Sequence, residues 1–275
     1  MLKFFRRRPE PEPEPIWQFK SDLVEPLSKE RLVLEIGPFN NPMIRGDNVR
    51  YFDVMTTEQL VKRAKKVKYD KNTIPNIDYS SPDADLSVIN ERFSAVASSH
   101  CIEHQPDLIH HLNQVRYLIE GIGRYYLVIP DKRYCFDHSV PSSTLEEVIS
   151  AQGDRRHPLI KVIEHRAVTT HNDPTRHWSG DHYDADWEAN QPAKARKAIT
   201  EYLAAKGGYV DVHRWQFTPQ TFKEIIVELC STGLIPFEIE MVNETPQGQL
   251  EFVAILRVKE EEPPPQKRGW WRRSS

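Results

Sequence analysis

RLVLEIG (31–37) decides the fold. Leu32, Val33, Leu34 and Ile36 form an apolar run too short for a helix, as expected of a strand covered on both faces of a parallel sheet. The run stops at Gly37, and Pro-Phe-Asn-Asn-Pro (38–42) follows as a sharp exit loop at the strand's carboxyl end. That end is the ligand edge of an open α/β sheet. Glu35 and Asp53 then fall where a cofactor's polar groups can be held.

Outward from this stretch the chain alternates between strand and helix. NVRYFDVM (48–55) reads as a second strand, a Lys-rich helix follows over 57–68, a short third strand lies at 76–80, and ERFSAVASSH (91–100) suits a buried fourth. Pro106 opens a helix with Leu108, Ile109, Leu112, Val115, Leu118 and Ile119 on helical spacing, and RYYLVIP (124–130) is the fifth strand. Thr218 caps an amphipathic helix to residue 229 with Pro219 at its first position, and PFEIEMVNE (236–244) and QLEFVAILRV (249–258) read as a terminal antiparallel pair. The expected fold is α/β, Rossmann-like, with seven mostly parallel strands and a His-rich insertion after strand 5. The expected divisions are a Pro-Glu tail (1–15), a cofactor-binding half (16–137), the insertion (138–212), the closing part of the sheet (213–259) and a basic tail (260–275).

Composition narrows the classes of function. With 275 residues, 39% hydrophobic, the chain is long enough for a sizeable core, and a net charge of −3 favours neither nucleic acid nor an acidic substrate. Cys101, Cys135 and Cys230 are widely spaced and odd in number, which suits a reducing cytosol. No stretch reaches the apolar length of a membrane-spanning helix, and PEPEPEP (9–15) is the opposite of a signal peptide's apolar core. KRGWWRRSS (267–275) reads either as a solvated tail or as a weak contact with an anionic membrane surface or a protein.

A dinucleotide pyrophosphate needs several glycines in its first loop, and GPFNNP has one, so a nicotinamide oxidoreductase is disfavoured. The loop is adequate for a cofactor without phosphate, and Asp53 is spaced from Gly37 to hold a ribose diol. The insertion carries His157, His165, His171, His177 and His182 with Asp173, Asp181, Asp184 and Asp186, but no H-E-x-x-H and no cysteine pair, and no metal is assigned there.

LEIGPFNNP (34–42), the Asp of YFDV (51–54), FSAVASSHCIEH (93–104) with Pro106 and Asp107, and YLVIPDKRYCFD (126–137) together resemble the class I S-adenosylmethionine-dependent methyltransferases, especially a bacterial subgroup found with glycan-building enzymes. The resemblance covers about residues 30–137 and returns at HRWQFTPQTFKEII (213–226). It implies S-adenosylmethionine as cofactor, with Glu35, Gly37 and Pro38 along its methionine part, Asp53 on its ribose, Asp83 beside its adenine, and Ser99 and His100 beneath the sulfonium. This loop departs from the family's glycine-rich pattern, since Pro38 and Pro42 stiffen it.

Methyl transfer is an in-line displacement that asks mainly for alignment, and a hydroxyl acceptor must also lose its proton. Candidate proton acceptors are His104, with Glu103 to orient it, His182 in the insertion, and Asp131 after the fifth strand. Lys132 and Arg133 are placed to clamp a phosphate or carboxylate of the acceptor, the plain alternative being an Asp131–Arg133 ion pair. Trp178, Tyr183 and Trp187 are read as stacking platforms of a lid over a small-molecule or glycan acceptor. The alternative function is a noncatalytic relative that binds the cofactor or a partner in surface-polysaccharide assembly.

Overall fold

The computed structural model describes residues 17–260. The Pro-Glu head and the basic tail with Trp270 and Trp271 lie outside the described residues. Seven strands, β1 (Val33–Ile36), β2 (Val49–Asp53), β3 (Tyr79–Ser80), β4 (Phe93–Ser99), β5 (Ile119–Pro130), β6 (Phe237–Val242) and β7 (Glu251–Val258), form one sheet in the order β3-β2-β1-β4-β5-β7-β6. β1 to β5 pair in parallel, and β7 inserts antiparallel between β5 and β6. This is the expected architecture. All of β1 is buried, the carboxylate of Glu35 included, as expected of a central strand covered on both faces.

Side chains alternate between two cores. Leu34, Ile36, Val96, Leu127 and Ile129 face α3 (Leu108–Leu118) and α8 (Pro219–Ser231), whereas Val33, Ala95, Ala97 and Val128 face Leu23, Leu27, Met43 and Ile44. The cap read from the sequence forms, with Thr218 accepting from Thr221 ahead of Pro219, whereas α3 starts at Leu108 rather than Pro106, the Asp107 side chain accepting the His110 N–H as its cap. A 3-10 turn (Lys20–Leu23) and α1 (Val24–Ser28) were not anticipated, because so short a pair with Pro26 inside it has no period to read.

β5 begins at Ile119 rather than at Arg124. Its glycines allow this: Gly121 sits at φ +54°, and a Cβ on Gly123 would fall 2.3 Å from the Ser94 carbonyl. The ladder with β4 shifts register between Phe93 and Ala95 at the same place.

The chain after β5 carries α4 (Leu145–Ser150), α5 (Leu159–Ile163) running into a π turn (Glu164–Val168), α6 (Pro174–Trp178) and α7 (Trp187–Ala204). Val162, Ala198, Val210 and Val212 give this insertion a small core of its own. Among the described residues no helix is long and apolar enough to cross a membrane.

Candidate functional site

The ends of β1, β2 and β4 open onto one cleft with a cavity volume of about 220 Å³. Gly37 ends β1 at φ +71°, donating its N–H to the Phe52 carbonyl, and a Cβ there would lie 3.4 Å from Cys101 Sγ. A side chain at this position would be strained by the positive φ. Asp53 ends the neighbouring strand, 6% exposed, and takes the Met55 N–H on Oδ1 at 3.0 Å. Burial raises its pKa to about 6, against backbone hydrogen bonds from Met55 and Phe39 and the charge of Arg63. α2 (Thr57–Val67) supplies Leu60 and Arg63 to the same wall, and Ala84 and Leu86 supply the far side.

Past β4 the backbone turns at His100, φ +51°, into a 3-10 turn (Ile102–His104). His100 lines the cleft with Nε2 2.6 Å from Glu251 Oε2; burial works against its charge, but Glu251 and Glu103 outweigh it and raise its pKa. His104 lines the cleft too, its Nδ1 2.9 Å from Asp211 Oδ1 in an ion-pair contact without hydrogen-bond alignment. There burial again opposes the charged ring, and Asp211 and Glu103 raise the pKa regardless, while His104 and Arg63 hold Asp211 below the usual carboxylate range against its own burial. The Tyr209 hydroxyl donates to the His104 carbonyl at 3.2 Å. The cleft therefore gathers Gly37, Asp53, His100 and His104 from the sequence-derived set, with Phe39, Arg63, Tyr209 and Asp211 unforeseen.

The remaining candidates lie elsewhere. Glu35 points to the face opposite Ile36 and accepts the Met43 N–H at 2.6 Å and the Ile44 N–H at 3.3 Å, so it shapes the exit loop from behind. Burial lifts its pKa to about 7 in spite of these bonds. Pro38 and Ser99 are not on the cleft wall, and Asp83 lines an adjoining cavity of about 490 Å³ that shares Ala84, Gln105 and His111 with the cleft.

Asp131 is 0% exposed, and its carboxylate is filled by the Arg133 N–H, the Arg133 guanidinium and the Thr245 hydroxyl at 2.6 Å. So sealed, it is not placed to take a proton from a ligand. Arg133 also reaches Glu244, and Lys132 donates to the His138 carbonyl at 3.0 Å, so the expected clamp is the plain ion pair. The reason is β7: its antiparallel insertion beside β5 gives Asp131 a partner strand and the 243–250 turn to bond with. Asp131→Ala is expected to lower stability by about 2–3 kcal/mol, since it strips partners from Arg133 and buried Thr245. An unchanged midpoint in urea denaturation would contradict this reading.

His182, Trp178 and Tyr183 form a second patch away from the cleft. Trp178 stacks on Tyr134 at 3.8 Å and donates Nε1 to the Gln249 carbonyl; Tyr183 packs on Trp187 at 4.6 Å. His182 stacks on His138 at 3.7 Å, and its Nδ1 lies 3.0 Å from His177 Nδ1. The insertion reaches the cleft through its last residues, Tyr209 and Asp211. A cue to them existed in GGYVDVH (207–213), where Val210 and Val212 alternate with Tyr209, Asp211 and His213 after a glycine pair.

No protein-family model matches the chain, and no curated protein does. Among solved structures, the 1,6-didemethyltoxoflavin-N1-methyltransferase of Burkholderia thailandensis, with bound 1,6-didemethyltoxoflavin and S-adenosylhomocysteine, is similar at 12% identity over 88% of this chain and 77% of that one, TM-score 0.42. A putative S-adenosylmethionine-dependent methyltransferase from Listeria monocytogenes gives 14% identity over 84% and 92%, TM-score 0.40. Another from Mesorhizobium loti gives 15% over 82% and 90%, TM-score 0.38. Likeness at this level carries no activity over to this chain.

Proposed function

We propose that this chain is an S-adenosylmethionine-dependent methyltransferase acting on a hydroxyl of a small molecule or glycan precursor. One observation carries the reading: the glycine exit of β1 and the buried carboxylate of Asp53 at the end of β2 stand on the same cleft, at the ligand edge of the sheet. The residues fit the cofactor. Asp53 offers carboxylate oxygen to two vicinal hydroxyls, Gly37 leaves backbone open to an amino-acid moiety, Ala84 and Leu86 give an apolar wall for a flat base, and the loop makes no phosphate cradle. When bound, the cofactor supplies a methyl group on a sulfonium, ready for in-line attack.

The chain's own part is alignment, exclusion of water and handling of one proton. Phe39 lies under Arg63 at 5.4 Å, and Arg63 pairs with Asp211 at 3.2 Å, tying α2 to the end of the insertion across the cleft mouth. His104 is the member of the three proposed proton acceptors that reaches the cleft, so the acceptor's proton is handled at His104. Phe39 and Tyr209, which line the same cleft, suit the faces of a polyhydroxylated ring.

Titration calorimetry with S-adenosylmethionine tests the reading and its pH dependence together. The ribose hydroxyls donate to the ionised carboxylate, and burial has raised the free Asp53 pKa to about 6. Affinity is therefore full above that value and falls as pH drops through it, by about tenfold at one unit below. Affinity that rose on acidification, or no binding at all, would refute it.

A further inference from the structure

Glu103 is 0% exposed, and among the described residues neither of its carboxylate oxygens has a hydrogen-bond partner. A carboxylate sealed in this way is costly unless something positive meets it. Its Oε1 lies 3.8 Å from His104 Nε2 and 3.7 Å from His213 Nε2, too far for hydrogen bonds and close for ligands of one ion. Ligands at ~2.1 Å from a metal stand about 3.0–3.6 Å from one another, so the two Glu103–His distances need contract by only a few tenths of an ångström.

The outer nitrogen of each ring faces a carboxylate. His213 Nδ1 lies 2.6 Å from Asp137 Oδ2 in a hydrogen bond, and His104 Nδ1 lies 2.9 Å from Asp211 Oδ1 as an ion-pair contact. Asp137 holds the proton at His213 Nδ1 and leaves that ring's Nε2 lone pair turned toward Glu103, and a carboxylate behind each ring is the arrangement that orients metal-binding imidazoles. The rings meet edge to face at 4.5 Å, and one ligand atom from each of Glu103, His104 and His213 lies within 4.8 Å of the others. Backbone ties fix the spacing, since Arg214 and Trp215 N–H both donate to the Glu103 carbonyl, at 2.8 and 3.1 Å.

We propose that Glu103, His104 and His213 bind one divalent transition-metal ion on the inner wall of the cleft. Two imidazoles and one carboxylate with positions left open suit zinc, manganese or iron(II). His104 borders the cleft, so a ligand hydroxyl has access to the open positions. The use of the ion rests on the methyltransferase reading: with His104 Nε2 on the ion, it is the ion that acidifies the acceptor hydroxyl, and the proton that His104 would take in the metal-free cleft leaves to solvent instead. Binding itself does not rest on that reading. The site departs from the sequence analysis, which assigned no metal, because His213 joins Glu103 only through the fold.

The test is calorimetric titration of the full chain, stripped with chelator, with Zn²⁺ and in parallel with Mn²⁺, no cofactor present. Wild type is expected to bind one equivalent that Glu103→Gln and His213→Ala each weaken at least tenfold, and that His138→Ala, in the other histidine cluster, leaves in place. Cobalt(II) absorption read on the same variants should lose its tetrahedral bands with Glu103→Gln even if heats are small. No binding of either ion by wild type, unchanged affinity in Glu103→Gln, or loss confined to His138→Ala would overturn the site. Separate S-adenosylmethionine titrations of the same variants show whether the cofactor cleft stands without the metal, so failure of one claim is not failure of the other.

Discussion

Replacing His104 with alanine is expected to lower turnover by roughly 10²–10⁴-fold, measured as S-adenosylhomocysteine release on any hydroxylated acceptor that supports it. His104 is at the cleft wall, held by a turn rigidly attached to β4 and faced by Asp211 at 2.9 Å. Nothing in its surroundings places it on the ribose or the methionine carboxylate side, where Asp53 and Gly37 stand. Cofactor affinity should therefore stay within about twofold while kcat falls, the pattern of a group that acts on the transition state rather than on ground-state binding. His182→Ala, by contrast, should leave turnover nearly intact, because that ring is stacked on His138 away from the cleft. Full turnover in the His104 variant would leave alignment alone to carry the reaction.

Asp53→Ala should do the reverse. One carboxylate bridging two ribose hydroxyls makes charge-assisted bonds worth ~1.5–3 kcal/mol together, so S-adenosylmethionine binding at pH 7.5 should weaken by roughly tenfold to a hundredfold. The substitution also removes a buried acid that is held above its usual pKa, so the fold has little to lose. Below about pH 6 the protonated carboxyl is the favoured form in the free protein: the folded state holds a proton more tightly than the unfolded one, and stability from this group declines as pH rises from about 4 toward 6. Unchanged affinity would remove Asp53 from the site.

Much of the sheet was legible because β1, β2 and β4 are buried runs that end in punctuation: Gly37, Asp53 and the Ser-Ser-His corner. Residues at such ends are brought together by parallel pairing alone, and that is why Gly37, Asp53, His100 and His104 meet. Strand ends place a residue at an edge without saying which way its side chain turns. Glu35 illustrates this, since one step along β1 from Ile36 puts it on the opposite face, under Met43 and Ile44. Asp131 illustrates it again at the end of β5, where the β7 hairpin, not a ligand, takes up the carboxylate. Arg63, Tyr209, Asp211 and His213 were missed for another reason. Helix periodicity places Arg63 on an exposed face, and the alternation in GGYVDVH puts the other three on one side of a segment without saying that the fold brings that side to the cleft. The insertion's conspicuous aromatics misdirect, because Trp178 and Tyr183 spend their faces on Tyr134 and Trp187.

The central claim is that the cleft between Gly37 and Asp53 holds the cofactor. A crystal structure of the protein grown with S-adenosylhomocysteine tests it most directly. The account predicts the ribose hydroxyls within hydrogen-bond distance of the Asp53 carboxylate, the amino-acid end over Gly37, and the sulfur on the side of His100 and His104. A nucleoside bound elsewhere, or a cleft left empty at saturating ligand, would contradict it.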